Sequence, residues 1–295
     1  MAAGRAVNSL PVVFLQLAKT PVLRPLHSSV AERTPMTAAS FHLTPVMFLI
    51  VCPLLFLAGL VDSIAGGGGL ISLPAYMVTG MPIHFCIATN KLSSTCGTTV
   101  ATARFIKNRL VSLKLSIPSV AAGIIGSTVG SHVSLMMQEE LIRRILLFVL
   151  PAAAFFVLNR RIFKDNPEED DGGRLSRRTY LVAALAALLI GFYDGMYGPG
   201  TGTFLIIAFT VFAKMSIRRA NAQAKVINLT TNITALTVFL INGQAVIPLG
   251  LAGAASSIAG NFIGSGLVMK SGARIVRPIL LVVLALLFIR IVTGQ

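Results

Sequence analysis

From Pro45 onward the chain runs as long apolar stretches separated by short polar or glycine-rich breaks. The stretches fall at roughly 45–63, 69–80, 86–106, 113–137, 141–159, 179–197, 202–213, 221–241, 245–269 and 275–292, which makes ten apolar elements. A helix needs about 20 apolar residues to cross a bilayer, so most of these are membrane-helix candidates. The second and seventh are too short to cross as ordinary helices. Each follows a glycine-rich break, which predicts discontinuous helices. The expected fold is an all-α integral membrane protein of about 8–10 transmembrane elements, the count depending on whether the second and seventh elements span or re-enter.

Composition supports this pattern. The chain has 295 residues, of which 55% are hydrophobic and 12% charged, with a mean hydropathy of +0.81. Soluble domains carry about 25% charged residues. The net charge of +15 could suggest nucleic-acid binding, but the cations sit in short clusters between apolar runs, as at Lys107/Arg109/Lys114 and Arg218/Arg219. That is the distribution of a positive-inside bias, whereas a nucleic-acid surface gathers its charge on one soluble face. No nucleic-acid partner is expected. Cys52, Cys86 and Cys96 lack metal or redox spacing and read as small apolar residues.

The two breaks are copies of one signature. The first reads Gly59-Leu-Val-Asp62-Ser-Ile-Ala-Gly66-Gly67-Gly68-Gly69, and the second Gly191-Phe-Tyr-Asp194-Gly-Met-Tyr-Gly198-Pro-Gly200-Thr-Gly202. Gly59, Asp62, Gly66 and Gly68 precede Gly191, Asp194, Gly198 and Gly200 by 132 positions each. Further along the spacing becomes 134, pairing Lys91 with Lys225, Asn108 with Asn242, Gly126 with Gly260, Gly130 with Gly264 and Arg143 with Arg277. Two homologous membrane repeats follow, 45–160 and 179–292, joined by a polar loop at 161–178. With five elements each, an odd number, the second repeat should be inverted relative to the first. If all ten elements cross, one side collects nearly all loop cations and the other only Arg143 and Arg144, as the positive-inside bias requires.

Residues 1–40 stand apart. Arg5, Lys19, Arg24 and Arg33 are basic, Glu32 is the single acid, and the apolar stretch near Leu10 is too short and interrupted for a signal peptide. This composition is that of an organellar transit peptide, or of a disordered cytosolic tail. The membrane would be a mitochondrial or other organellar inner membrane in the first case and the plasma membrane in the second.

Asp62 and Asp194 are the two acids that interrupt apolar elements, out of ten in the chain. An ionisable residue inside a membrane is a functional-site candidate. Each could carry protons, or cap its broken helix by accepting backbone N–H bonds, and the two roles are compatible. Lys91 and Lys225 form the other matched ionisable pair. Asn90, one residue before its lysine, and Asn228, three after, lie on a similar azimuth at 3.6 residues per turn. Two Lys/Asn clusters from two repeats would converge on one midplane cavity. Its cationic groups, with the backbone N–H groups of Gly66, Gly67, Gly68, Gly69, Gly198, Gly200 and Gly202, would suit a small anion. A lysine that pairs only with substrate strands no buried partner when removed. Simple snorkelling of the lysines to the interface is the competing reading. No catalytic constellation, metal-ligand spacing or nucleotide loop is found, so neither enzyme chemistry nor a cofactor is expected. The partners expected are a small anionic substrate, the lipid bilayer and, as oligomer, a homodimer.

At these motifs (Gly59-x-x-Asp62-Ser-Ile-Ala-Gly-Gly-Gly-Gly, Ala88-Thr-Asn-Lys91 and Gly191-Phe-Tyr-Asp-Gly-x-x-Gly-Pro-Gly-Thr-Gly) the chain resembles the TauE/SafE sulfite-exporter family, in particular its YfcA-type branch. The resemblance covers about residues 45–292; Ala88 stands where the motif usually has Gly, and the first 40 residues have no counterpart. It implies a multipass permease for sulfur-containing anions such as sulfite or organosulfonates. The alternatives are a passive anion channel using the same residues and a membrane assembly or structural protein.

Overall fold

The structure, a computed structural model, describes residues 42–138, 141, 176–271, 274, 275, 278 and 279. Residues 1–41, most of the polar loop and nearly all of the apolar elements expected at 141–159 and 275–292 lie outside the described residues. Among the described residues every regular element is helical: α1 (Pro45–Ala65), α2 (Gly69–Met77), α3 (Ile83–Lys107), α4 (Leu113–Met136), α5 (Arg177–Met196), α6 (Thr201–Val211), α7 (Ile217–Ile241) and α8 (Ile247–Ser271). Helices α3 and α7 begin several residues ahead of their apolar runs. Their first turns carry His84 and Arg218/Arg219, which hydropathy reads as loop although the backbone is already helical.

Helices α1, α4, α5, α7 and α8 are long and apolar enough to cross a membrane. The protein is an all-α integral membrane protein. Its outward faces carry Leu49, Ile117, Ile125, Leu181, Leu189 and Phe262, all well exposed, a surface suited to acyl chains rather than water. The interior, though largely apolar, also holds many polar groups. Buried hydroxyls return their bonds to the preceding helical turn, as Ser119 Oγ does to Leu115 O (2.8 Å) and Ser131 Oγ to Ser127 O (2.7 Å). With nine and eleven residues, α2 and α6 are short, as the apolar pattern predicts. At 1.5 Å per residue they measure roughly 14 and 17 Å, about half a hydrocarbon core.

The sequence repeat is also a repeat of contacts. Helix α1 packs along α8, and α5 along α4. A Cβ added at Gly126 would lie 2.1 Å from Leu188 O, and one at Gly260 would lie 2.1 Å from Phe56 O. One turn on, Gly130 is held against Phe192 O and Gly264 against Leu60 O. Gly126 and Gly260 are repeat equivalents, and so are Leu188 and Phe56. In each case, then, the fourth helix of one half is seated on the first helix of the other through small residues.

At each break several freed carbonyls find partners inside the protein, as a membrane interior requires. Helix α1 ends at Gly66, which adopts φ 74° and donates its N–H to Asp62 O at 2.8 Å. The carbonyls of Ser63 and Ile64 accept from Asn221 Nδ2 (3.1 and 3.0 Å), and Ala65 O accepts from Thr203 Oγ1 (2.7 Å). At the second break Tyr193 Oη donates to Pro199 O (2.7 Å), Thr201 Oγ1 to Gly198 O (2.7 Å) and Ser131 Oγ to Gly195 O (3.2 Å). The partners of the first break come from α6 and α7, in the other half of the chain. That ties the two halves together at their weakest backbone.

Candidate functional site

The four matched ionisable residues meet in two ion pairs, each joining the halves. Lys91 on α3 donates to Asp194 Oδ1 near the end of α5 at 2.7 Å, and Lys225 on α7 donates to Asp62 Oδ2 near the end of α1 at 2.7 Å. Each lysine thus pairs with the aspartate of the opposite repeat. The expectation that either lysine could be removed without stranding a partner is therefore corrected: each faces a carboxylate held in the protein interior. The expected cationic cavity is corrected too, since two ammonium groups and two carboxylates balance.

The aspartates are engaged by side chains. Asp194 Oδ1 also accepts from Thr201 Oγ1 (2.8 Å), and its Oδ2 accepts from Thr231 Oγ1 (2.5 Å). Asp62 Oδ2 accepts, in addition to Lys225, a long bond from Thr98 Oγ1 (3.4 Å). Among the described residues no backbone N–H donates to either carboxylate. Lys91 donates a second bond to Asn232 Oδ1 at 3.0 Å, and Asn232 Nδ2 passes the chain on to Asn228 Oδ1 at 3.0 Å.

Between the pairs lies a small, partly open cleft of about 20 Å³. Asp62, Asp194 and Lys91 line it, with Asn90 and Asn228 on either side, and Gly66, Gly69, Gly198 and Gly202 bring the breaks to its wall. Lys225, Gly67, Gly68 and Gly200 are not part of the lining. Lys225 is wholly buried behind Asp62, its side chain 0% exposed. The two breaks touch each other here. A Cβ on Gly66 would sit 2.2 Å from the carbonyl carbon of Gly202. Helices α2 and α6 follow Gly68 and Gly200 without side-chain caps; Leu70 N, Ile71 N and Thr201 N bond to the preceding backbone, and the first turns meet the cleft at Gly69 and Gly202.

Three lining residues escaped the sequence reading: Ser94, Thr201 and Asn232. Two carried a readable signal. Ser94 is the repeat equivalent of Asn228, and Asn232 lies one helical turn beyond Asn228 on the same face. Thr201 opens α6, and only the fold turns its hydroxyl toward Asp194.

Broken helices brought together at glycine, buried ion pairs exchanged between two equivalent halves and a polar cleft between them describe a polytopic membrane transporter. Residues 51–291 match the family described as Sulfite exporter TauE/SafE, and the chain belongs to that family. It is 32% identical over 249 residues to "Probable membrane transporter protein YfcA" of Escherichia coli, covering 84% of this chain and 90% of the relative. It is 34% identical over 257 residues to "Probable membrane transporter protein ORF9" of Sinorhizobium sp, covering 87% and 95%. A third relative, from Haemophilus influenzae and also named a probable membrane transporter protein, is 32% identical over 240 residues, covering 81% and 92%. No solved structure matches the chain at a significant level.

Proposed function

We propose that the protein is a secondary transporter of small anions, with sulfite and organosulfonates as the substrate class and the cleft between the breaks as the binding site. The family's description supplies the sulfur-oxyanion class. The observation that carries the reading is Lys91, a buried ammonium on the cleft wall, flanked by Asn90, Asn228 and Asn232 and by the uncapped starts of α2 and α6. An oxyanion needs several donors around one charge, and amide N–H₂ groups with helix N-termini supply them without further cations. Asn90 is the most available donor, because among the described residues its side chain has a single long contact, from Ser94 Oγ at 3.5 Å.

The two halves are read as inverted repeats rocking about this cleft. The exchanged packing of α1 on α8 and α5 on α4 supports that reading, together with the asymmetric loop charges. Lys91 and Lys225 act as counter-charges, and Asp62 and Asp194 hold them until substrate arrives.

The test is flux into proteoliposomes with a panel of sulfite, sulfate, sulfonates and carboxylates. Saturable uptake of sulfite or a sulfonate, competed by the others, is expected. Uptake of carboxylates with no response to any sulfur oxyanion would sink the substrate class. Linear, non-saturating conductance would replace the transporter with a passive channel.

A further inference from the structure

The two ion pairs are equivalent in sequence position and unequal in surroundings. Asp194 has both oxygens occupied: Lys91 and Thr201 donate to Oδ1, Thr231 donates to Oδ2, and the side chain is 2% exposed. Asp62 has Lys225 and the long Thr98 contact, both on Oδ2, and its side chain is 14% exposed. Among the described residues nothing donates to Asp62 Oδ1.

The difference is written into the repeat. The equivalents of Thr201 and Thr231 in the first half are Gly69 and Gly97, so the two hydroxyls that hold Asp194 are missing around Asp62. Other groups occupy the space. A Cβ on Gly69 would meet Pro199 Cα at 2.9 Å, and one on Gly97 would meet Ser257 Oγ at 2.2 Å. The hydroxyls cannot be supplied from these positions.

Resting on the anion-transport reading, we propose that Asp62 Oδ1 is the proton-accepting atom of the transporter and that anion and proton cross together, one proton per monovalent anion, with Asp194 serving as a fixed anchor for Lys91.

Charge balance drives the coupling. Lys91, Lys225, Asp62 and Asp194 sum to zero in the empty cleft. An anion entering alone would leave one uncompensated negative charge in a poorly solvated site, and a proton entering alone would leave Lys225 facing a neutral carboxyl. Bound together they restore neutrality. The proton adds to the Asp62 carboxylate at Oδ1, on the cleft side, and the new O–H can donate to the anion. On the opposite side of the membrane the anion leaves, the proton returns to water, and Asp62 ionises again against Lys225. No bond other than O–H forms or breaks.

The groups that face Asp62 favour this assignment. Lys225 on α7 is bonded to it, and Lys91 on α3 and Asp194 on α5 share its cleft. Helix α2 contributes Tyr76, whose hydroxyl is bonded to Ser93, and α6 carries no charged side chain. The charged residue described on α8, Lys270, is in its last turn. A sodium ion would need several free oxygens at a break. At the first break Asp62 O, Ser63 O, Ile64 O and Ala65 O each already accept a hydrogen bond, so a cation would have to share them with those donors, whereas a proton needs only the unpaired carboxylate oxygen.

The experiment uses the full chain in proteoliposomes with methanesulfonate, which stays ionised and carries no proton of its own. A pH dye is trapped inside, and the membrane potential is clamped with potassium and an ionophore. Uptake by the wild-type protein should acidify the lumen in step with the anion and should not respond to the clamped potential. In Asp62→Asn, acidification should fall by about tenfold or more, and accumulation should be lost, because coupling requires the titrating oxygen. Exchange of labelled for unlabelled methanesulfonate should persist at a reduced rate, since the amide mimics the protonated carboxyl. Asp62→Glu should recover part of the acidification. If Asp62→Asn folds poorly, Asp62→Asn/Lys225→Gln strands no charge: acidification should again be lost, while exchange, deprived of the Lys225 charge that balances the anion, should fall further. Uptake without acidification, potential-driven uptake, or undiminished acidification in Asp62→Asn overturns the proposal, as does finding this phenotype in Asp194→Asn instead. Absence of wild-type uptake of both methanesulfonate and sulfite overturns the anion reading along with it.

Discussion

Replacing Lys91 with Gln tests whether the inter-repeat ion pairs hold the protein together. The substitution removes an ammonium 2.7 Å from Asp194 Oδ1 and leaves a carboxylate whose side chain is 2% exposed. Removing one partner of a buried pair costs about 3–5 kcal/mol, because the remaining charge has lost its compensation. Two features place this case at the lower end. Thr201 and Thr231 still donate to the carboxylate, and the Gln amide can still donate to Asn232 Oδ1. A loss of about 3 kcal/mol would lower the melting temperature by on the order of 10 °C in a chain of this length. Adding Asp194→Asn removes the stranded charge, so the double variant should lose less than the two singles together, by about 2 kcal/mol. The cycle is read by thermal unfolding of purified protein in detergent: wild type, Lys91→Gln, Asp194→Asn and the double. Losses that simply add would refute the pairing. The corresponding cycle at Lys225 and Asp62 should show a smaller coupling, since Asp62 is partly open to the cleft.

Gly66→Ala should abolish folding or nearly so, because Gly66 has φ 74° and its new Cβ would lie 2.2 Å from the backbone of Gly202; a monodisperse, normally melting variant would contradict the described contact between the breaks. Accessibility reporters placed at 109–113 and 214–219 should lie on the same side of the membrane and one at 242–244 on the other, as the loop charges dictate, and opposite placement of the first two would remove the inverted-repeat reading. On the transit-peptide reading of residues 1–40 the mature protein should begin near residue 34; a mature protein that still begins at Met1 or Ala2 would remove that reading in favour of the cytosolic tail.

Much of the architecture was legible along the chain, because lipid imposes its rules locally. Apolar runs of given length, and glycines where a run breaks, are read without knowing any neighbour, and they located α1, α2, α4, α5 and α6 closely. The repeat was legible for a similar reason. Gly126 and Gly260, or Lys91 and Lys225, keep their spacing because each occupies the same place in its half. Where hydropathy was the sole guide it stopped short, as at the first turns of α3 and α7, whose polar residues are helical all the same.

Pairing was beyond that reach. Lys91 meets Asp194 across 103 residues, and Lys225 meets Asp62 across 163. Helical period gives the azimuth of a side chain on its own helix, but which neighbour faces that azimuth depends on how α3 and α7 are rotated and crossed against α5 and α1. Those rotations depend in turn on close packing elsewhere, of α1 and α3 on α8 at Gly59, Gly97 and Gly260 and of α5 on α4 at Gly126, where fractions of an ångström of space decide the approach. So the chain announces two lysines and two aspartates inside a membrane, while folding exchanges their partners between halves, makes the cleft neutral, draws Lys225 behind Asp62 and leaves one carboxylate oxygen unclaimed.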